Sequence, residues 1–293
     1  MQGGFYLIYD TIIIGKGPAG ISAALYIKRA NLTCLVIGKD GGALEKTNQI
    51  DNYYGFEDGI TGEELFLKGI KQAEQLKIPI ETDEVVNIKL EEHYKIFTRN
   101  CEYEAKTLII ATGASRKTPK IKGVRELEGK GVSYCATCDA FFYRNKEVAV
   151  LGSGDYALHE AMELLPIAKK VTIVTDGESI VENRSSELNV NKKKIKEIRG
   201  EEQVEQIGFE DETNLNVSGI FIAIGVASST DLAKKIGAVV EENHIKVDKE
   251  MKTNVPGLYA CGDCTGGLLQ ICKAVYEGAQ AGISVIQYIR NPK

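Results

Sequence analysis

The chain has 293 residues, 43% apolar and 26% charged, a balance that suits a globular protein of about two domains at roughly 150 residues each. Its net charge of -5 excludes nucleic acid as the default partner, because phosphate binding requires a basic footprint. No apolar run approaches the ~18 residues of a membrane span, and seven cysteines, an odd number, do not make a secreted disulfide framework, so a reducing cytoplasm is expected.

Residues 5–14 carry Asp10 and lead into a glycine turn, which reads as a strand and not as a signal peptide. Gly15-Lys16-Gly17-Pro18-Ala19-Gly20 is that turn, residues 21–29 have helical spacing, and residues 33–37 predict a second strand. The segment is therefore a βαβ unit of the dinucleotide-binding kind. Gly15 permits the turn, Gly17 lets a pyrophosphate approach backbone N–H groups, and Gly20 lets helix and strand pack closely. The acid expected at the end of the second strand is absent, because Val36-Ile37 is followed by Gly38-Lys39. That leaves the backbone of residues 38–42 to hold an adenosine ribose. Residues 108–113 predict an apolar strand ending in a turn.

A second unit begins at residues 147–151, which lead into Gly152-Ser-Gly154-Asp-Tyr156-Ala157, a helix to about Leu165 and a strand at 171–175. Two such units imply two dinucleotide-type domains. An apolar strand at 219–225 and residues 257–263 then precede a long C-terminal helix. Charge is uneven in between: residues 116–125 carry five bases and no acid, residues 184–199 six bases and two acids, and residues 201–212 six acids and no base. Two readings stand, the solvated faces of a meander or a docking surface for an acidic protein.

Cys135-Ala-Thr-Cys138-Asp139 carries the sharpest chemistry. Two thiols two residues apart can close a small-ring disulfide with tuned potential and thiol pKa, and the adjacent acid can move the proton that exchange requires. A zinc site would need four ligands, which Cys261 and Cys264 supply only in number, since Asp263 between them belongs to another motif. Two unconnected core cysteines are the plainer alternative, and no metal is expected.

The segment from Cys135 through Asp139 to Phe141, Phe142 and Asn145 resembles the active-site segment of low-molecular-weight, bacterial-type thioredoxin reductases. The same family pattern recurs in order at Gly15–Gly20, Gly41-Gly42, Asn52, Ala111-Thr112-Gly113, 223–225 and Gly262-Asp263. The resemblance implies an α/β protein of two Rossmann-like domains. A central redox domain (113–235), with the Cys-x-x-Cys and a degenerate pyridine-nucleotide fold, is inserted into a discontinuous FAD domain (1–112 and 236–293). Cys138 would face the flavin, Cys135 would attack the partner disulfide, and Asp139 would be the acid. FAD would be held by Gly15, Gly17, Pro18, Ala19, Gly20, Gly41, Gly42, Asn52, Val86, Ala111, Thr112, Gly113, Gly262, Asp263 and Gln270. Asp263 would hold the ribityl chain, and Gln270 would stand at the pyrimidine end, where the helix dipole favours reduced flavin. Larger glutathione-reductase-type enzymes use a C-terminal His, and here His93, His159 and His244 all precede the last 49 residues, so they read as ordinary surface or boundary residues.

The pattern departs at the second unit. Tyr156 stands where the family has a small residue beside the pyrophosphate, and its phenol is expected at the mouth of the turn. Thr175-Asp176-Gly177 replaces the basic run that clamps a 2′-phosphate; Asp176 repels that group and favours the free ribose of NADH. The stretch to Gly219 is short by about one helix. NADPH is therefore not the expected reductant, and the chain is most similar to the clostridial ferredoxin-dependent flavin thioredoxin reductases. That likeness implies two one-electron deliveries from reduced ferredoxin to FAD, then to the Cys135–Cys138 disulfide, then to thioredoxin, in a homodimer. The basic stretches at 116–125 and 184–199 would dock the ferredoxin. An NADH- or NADPH-dependent thioredoxin reductase and a non-catalytic flavin redox sensor are the competing functions. Cys261, Cys264 and Cys272 are either redox-active or small packing residues, and Cys34 belongs to a strand core.

Overall fold

The computed structural model describes residues 7–45, 47–113, 119–134, 136–180, 187–225 and 228–291, without the side chains of Thr137 and Cys138. Four β-branched residues in a row, Thr11 to Ile14, make β1 (Ile8–Ile14) a strand buried at its C-terminal end. Pro18 opens α1 (Pro18–Arg29), where its missing N–H costs nothing, and Lys28 and Arg29 sit at the negative end of the helix. β2 (Cys34–Ile37) returns parallel to β1, pairing Thr11 with Cys34 through Ile14 with Ile37. After α2 (Gly42–Glu45), α3 (Gly62–Gln75) starts at a capping box, in which Thr61 Oγ1 accepts from the Glu64 amide and Glu64 Oε2 from the Thr61 amide. β3 (Ile80–Glu81) extends the sheet beyond β2. β4 (Val85–Leu90), β5 (Tyr94–Thr98) and β6 (Glu102–Ile110) form an antiparallel meander, and β6 also runs parallel beside β1.

The chain then enters a second unit. β7 (Val132–Ser133) and the short α4 (Ala136–Asp139) precede β8 (Glu147–Leu151), α5 (Asp155–Leu164) and β9 (Lys170–Val174). β10 (Asn189–Asn191) pairs directly with β9. Residues 181–186 of that connection, where a shortened stretch is expected, lie outside the described residues. β11 (Ile195–Arg199), β12 (Gln206–Phe209) and β13 (Asn214–Asn216) form a separate antiparallel meander, and β14 (Gly219–Ile222) returns to the parallel sheet, whose order is β10-β9-β8-β14-β7. Ile198, Ile207 and Phe209 of the meander bury against Leu151, Ile220 and Ile222, which covers one face of that sheet.

α6 (Ser229–Lys235), the hairpin of β15 (Val240–Glu241) and β16 (His244–Ile245), β17 (Leu258–Ala260) and α7 (Ile271–Arg290) complete the first unit. β17 adds parallel to β6, so the order β3-β2-β1-β6-β17 is a five-stranded parallel sheet. Its core joins Ile13, Ile27, Val36, Ile109, Tyr259 and Val285. The two units are Met1–Ser115 with Ser228–Lys293, and Arg116–Ala227. α6, expected within 113–235, belongs to the first unit: its buried Leu232 and Ala233 pack it toward β4 and the β15–β16 hairpin. Among the described residues, no helix is long and apolar enough to cross a membrane.

Candidate active site

In the first unit the chain steps from β1 to β2 and β3 on one side, while β6 lies on the other. This topological switch opens a crevice at the strands' C-terminal ends, where open parallel sheets bind ligands. Gly15 sits there at φ 115°, and a Cβ on it would collide with the Ala111 carbonyl at the end of β6. Gly17 caps α1 with no side chain over the first turn and no acid in it, so the amides that open the helix face a ligand with the positive end of its dipole. Thr112 and Gly113 follow Ala111 at the same edge. A bulge between Val85 and Asn87 leaves Val86 without a cross-strand partner. These features fit the pyrophosphate of a dinucleotide. The Gly38 amide donates to the Glu81 carbonyl of β3 at 3.0 Å, Gly41 to Glu45 Oε2 at 2.8 Å and Gly42 to Asp40 Oδ1 at 2.9 Å, so these three amides of the segment expected at an adenosine ribose are engaged within the protein.

Beyond β17, Gly262 and Asp263 form a turn held from below by α7. Glu277 Oε2 accepts from the Gly262 amide and from Thr265 Oγ1, each at 2.8 Å. Lys273 Nζ donates to the Gly262 carbonyl and to Thr265 Oγ1, each at 2.9 Å, and pairs with Glu277 at 3.1 Å. Burial pushes the Asp263 carboxyl up, with Lys273 opposing and Glu277 adding to the shift. Gln270 caps α7, and Asn52 Nδ2 donates to its Oε1 at 3.1 Å, joining two expected site residues from distant parts of the chain. Sequence reasoning missed Lys273 and Glu277, although their i,i+4 spacing signals a helix pair.

Cys261 and Cys264 are free, fully buried thiols, and Cys264 Sγ lies 3.2 Å from the Cys261 carbonyl. Burial pushes Cys264 up to about 12 and Cys261 well above its ordinary value. Buried Cys34 is pushed up to about 11. Such burial favours the packing alternative for Cys261 and Cys264, because a protonated buried thiol is a poor nucleophile. Maleimide at pH 8 is expected to label the exposed Cys101 and Cys272 in the native protein and to spare Cys34, Cys261 and Cys264. Peptide mass spectrometry checks this, and rapid labelling of Cys264 would contradict it.

In the second unit, Cys135 and the Cys138 side chain lie outside the described residues, but their frame is visible. α4 begins at Ala136, whose amide donates to Glu160 Oε2 at 2.7 Å; Glu160, on α5, is only 1% exposed. Ser133 Oγ donates to Asp139 Oδ2 at 2.6 Å, which fixes the expected acid. Phe141 and Phe142 follow at 72% and 67% exposed, an apolar pair beside the cysteine segment that meets edge to face, with the Arg144 guanidinium over the Phe141 ring. Neither Glu160 nor Ser133 was legible, since each acts across the fold. Removing Glu160 orphans a buried amide, so Glu160→Ala is expected to cost about 1–3 kcal/mol in guanidinium unfolding, and Glu160→Gln, which keeps an acceptor, less. An unchanged midpoint in Glu160→Ala would contradict this reading.

The second glycine loop repeats the first. A Cβ on Gly152 would collide with the Ala223 carbonyl, and Gly154 caps α5 without a side chain, as Gly15, Ala111 and Gly17 do in the first unit. Tyr156 does not stand at the mouth of the turn as expected. Its ring is wholly buried, and its hydroxyl donates to the Tyr134 carbonyl at 3.3 Å, tying α5 to the residue before Cys135. Asp176, at φ 52°, is tied to β11: its Oδ1 accepts from the Ile195 amide at 2.7 Å. The basic stretches are partly neutralised at home. Lys122 and Arg199 pair with Glu197 at 2.8 and 2.7 Å, holding that carboxyl down to about 2, and Lys193 and Lys196 pair with Asp211 and Glu212, each at 2.8 Å. Residues 116–118 and 184–186 lie outside the described residues.

A family model described as pyridine nucleotide-disulphide oxidoreductase matches residues 9–278. The thioredoxin reductase of Listeria innocua is 36% identical over 305 residues, covering 98% of this chain and 95% of that protein. Among solved structures, the chain is similar to the atypical thioredoxin reductase TRi from Desulfovibrio vulgaris Hildenborough, at 38% identity and a TM-score of 0.90 over 96% of this chain and 98% of that one. A ferredoxin-flavin thioredoxin reductase from Clostridium acetobutylicum is 35% identical, with a TM-score of 0.71 over 96% of this chain and 98% of that one. FAD is the cofactor of this family, and the open first turn of α1 fits it. With matches that span nearly the whole sequence, the chain belongs to the thioredoxin reductases of the pyridine nucleotide-disulphide oxidoreductase family.

Proposed function

We propose that this thioredoxin reductase takes its electrons from reduced ferredoxin and not from NADPH, working as a homodimer in the cytoplasm. The observation that carries the reading lies at the end of β9, where Thr175-Asp176-Gly177 stands in place of a basic 2′-phosphate clamp and the Asp176 carboxylate is tied to the Ile195 amide of β11. The likeness to the ferredoxin-flavin enzyme of Clostridium acetobutylicum supports it further. The buried ring of Tyr156 leaves the mouth of the second glycine turn unblocked and does not add to it. The retained geometry of Gly152 and Gly154 favours the rival, a reductase that still uses NADH or NADPH. For the dimer, the supporting feature is the apolar surface that Tyr26 of α1 and Tyr276 and Ile283 of α7 expose.

Bound FAD supplies a carrier that accepts electrons singly and gives them in pairs, which a one-electron donor and a two-electron disulfide require. The residues to hold it are Gly15, Gly17, Pro18, Ala19 and Gly20 at the pyrophosphate. Ala111, Thr112, Gly113, Gly41, Gly42 and Val86 line the adjoining edge, with Asp263 at the ribityl chain and Asn52 and Gln270 at the flavin. In the exchange, the Cys135 thiolate attacks a thioredoxin sulfur and forms a mixed disulfide, and the first thioredoxin thiolate leaves. Cys138 then attacks Cys135 Sγ, closing the Cys135–Cys138 disulfide and releasing the second thiolate. Thioredoxin gains two electrons and two protons, and Asp139, oriented by Ser133, moves protons to and from the cysteines. Phe141 and Phe142 offer the apolar contact for the incoming protein.

Calorimetric titration of the holoenzyme with NADPH and NADH tests the donor. No saturable binding up to about 1 mM, an affinity worth only ~4 kcal/mol, is expected. Micromolar binding of either nucleotide would overturn the reading in favour of the rival.

A further inference from the structure

A cation lies buried in the first glycine loop with no anion beside it. Lys16, between Gly15 and Gly17, is 8% exposed, and its Nζ donates to Thr82 Oγ1 at 2.9 Å. Among the described residues no carboxylate pairs with it. A buried ammonium is costly unless its charge and its three donors are satisfied, and Thr82 takes one donor. The side chain crosses the end of β2 closely enough that a Cβ on Gly38 would press on its Cγ, and it ends at Thr82, just past β3. It therefore runs along the C-terminal edges of β1, β2 and β3. In units of this topology that half of the crevice takes the adenosine, whose ribose bonds an acid at the end of the second strand. Here that acid is absent, and the amides of Gly38, Gly41 and Gly42 are engaged by the Glu81 carbonyl, Glu45 and Asp40.

We propose that Lys16 holds the adenosine ribose of the bound dinucleotide, donating from its ammonium to a ribose hydroxyl oxygen at the place where other such units use an acid. The proposal rests on the reading of this crevice as an FAD site. It makes Lys16 a binding residue, with Thr82 as the group that aims it. The ammonium also brings a positive charge to the loop that receives the pyrophosphate, which adds to the dipole of α1.

The test compares FAD with a flavin dinucleotide whose adenosine is the 2′,3′-dideoxy form. Flavin fluorescence after dilution of the holoenzyme, before and after exchange of the cofactor, reads the dissociation constants for the wild type, Lys16→Met and Lys16→Arg. Hydrogen bonds to charged groups predict roughly a 10- to 100-fold loss for the wild type with the dideoxy compound. The same loss is expected for Lys16→Met with FAD, together with no discrimination between the two compounds; Lys16→Arg should keep part of it. Equal retention of both compounds by the wild type would overturn the proposal whatever the variants do. So would a Lys16→Met protein that holds FAD normally, or one that loses FAD yet still discriminates, since the lysine would then only support the loop. A wild type that binds FMN as tightly as FAD would instead sink the dinucleotide reading of the crevice, and the role of Lys16 with it.

Discussion

Cys138→Ser is expected to abolish thioredoxin reduction, by roughly a thousand-fold or more, while the protein stays yellow. A serine hydroxyl cannot close a disulfide, so the electron pair has no place to rest on the protein. The substitution exchanges one atom in α4, whereas the proposed flavin cradle is built on the other unit. The variant also separates the two thiols. With Cys135 as the attacking group, Cys138→Ser should accumulate a covalent mixed disulfide with oxidised thioredoxin after reduction, because nothing resolves it. Cys135→Ser should be equally inactive and form no such adduct. Non-reducing electrophoresis distinguishes the two. An adduct formed only by Cys135→Ser would exchange the two roles, and full activity in either variant would remove the disulfide from the mechanism.

Gly15→Ala should release the cofactor and weaken the fold. The residue is held at φ 115°, where an L side chain is strained by about 1–3 kcal/mol. The added methyl also meets the Ala111 carbonyl, which the sheet cannot move without parting β1 from β6. That displaces the first turn of α1 from the pyrophosphate, so a colourless protein with a lower melting temperature is expected. Gly152→Ala is the matched control: it meets the equivalent Ala223 carbonyl in the second unit, so it should lower stability yet leave the flavin in place. Flavin absorbance and thermal unfolding of the two variants check this, and a yellow Gly15→Ala protein would contradict the placement of the cofactor.

Both glycine units were legible because each joins a β-branched run to a helix through a glycine turn, a local pattern. Strand β8 falls at Glu147–Leu151 as predicted, and α1 begins at Pro18, slightly earlier than its apolar spacing suggested. What was not legible depends on direction and register. Position 156 in a motif does not disclose that its ring turns inward to Tyr134. The turn at Asp176 does not disclose that its carboxylate reaches Ile195. The acidic run at 201–212 lies near the basic run in sequence, but only the β11–β12–β13 register sets Lys193 against Asp211 and Lys196 against Glu212. Lys16, Glu160 and the grip of Lys273 and Glu277 on the Gly262 turn likewise arise from contacts between elements far apart in the chain.

The donor is the centre of this account, and one anaerobic experiment addresses it most directly. The oxidised yellow protein is mixed in turn with NADPH, NADH and reduced ferredoxin while flavin absorbance is followed, and oxidised thioredoxin is then supplied. Bleaching by ferredoxin alone is expected, followed by repeated reduction of thioredoxin and return of the yellow colour when the ferredoxin is exhausted. Rapid bleaching by NADPH or NADH, with thioredoxin turnover at a comparable rate, would contradict it and show that the second glycine loop still binds its nucleotide despite Asp176 in place of a basic clamp.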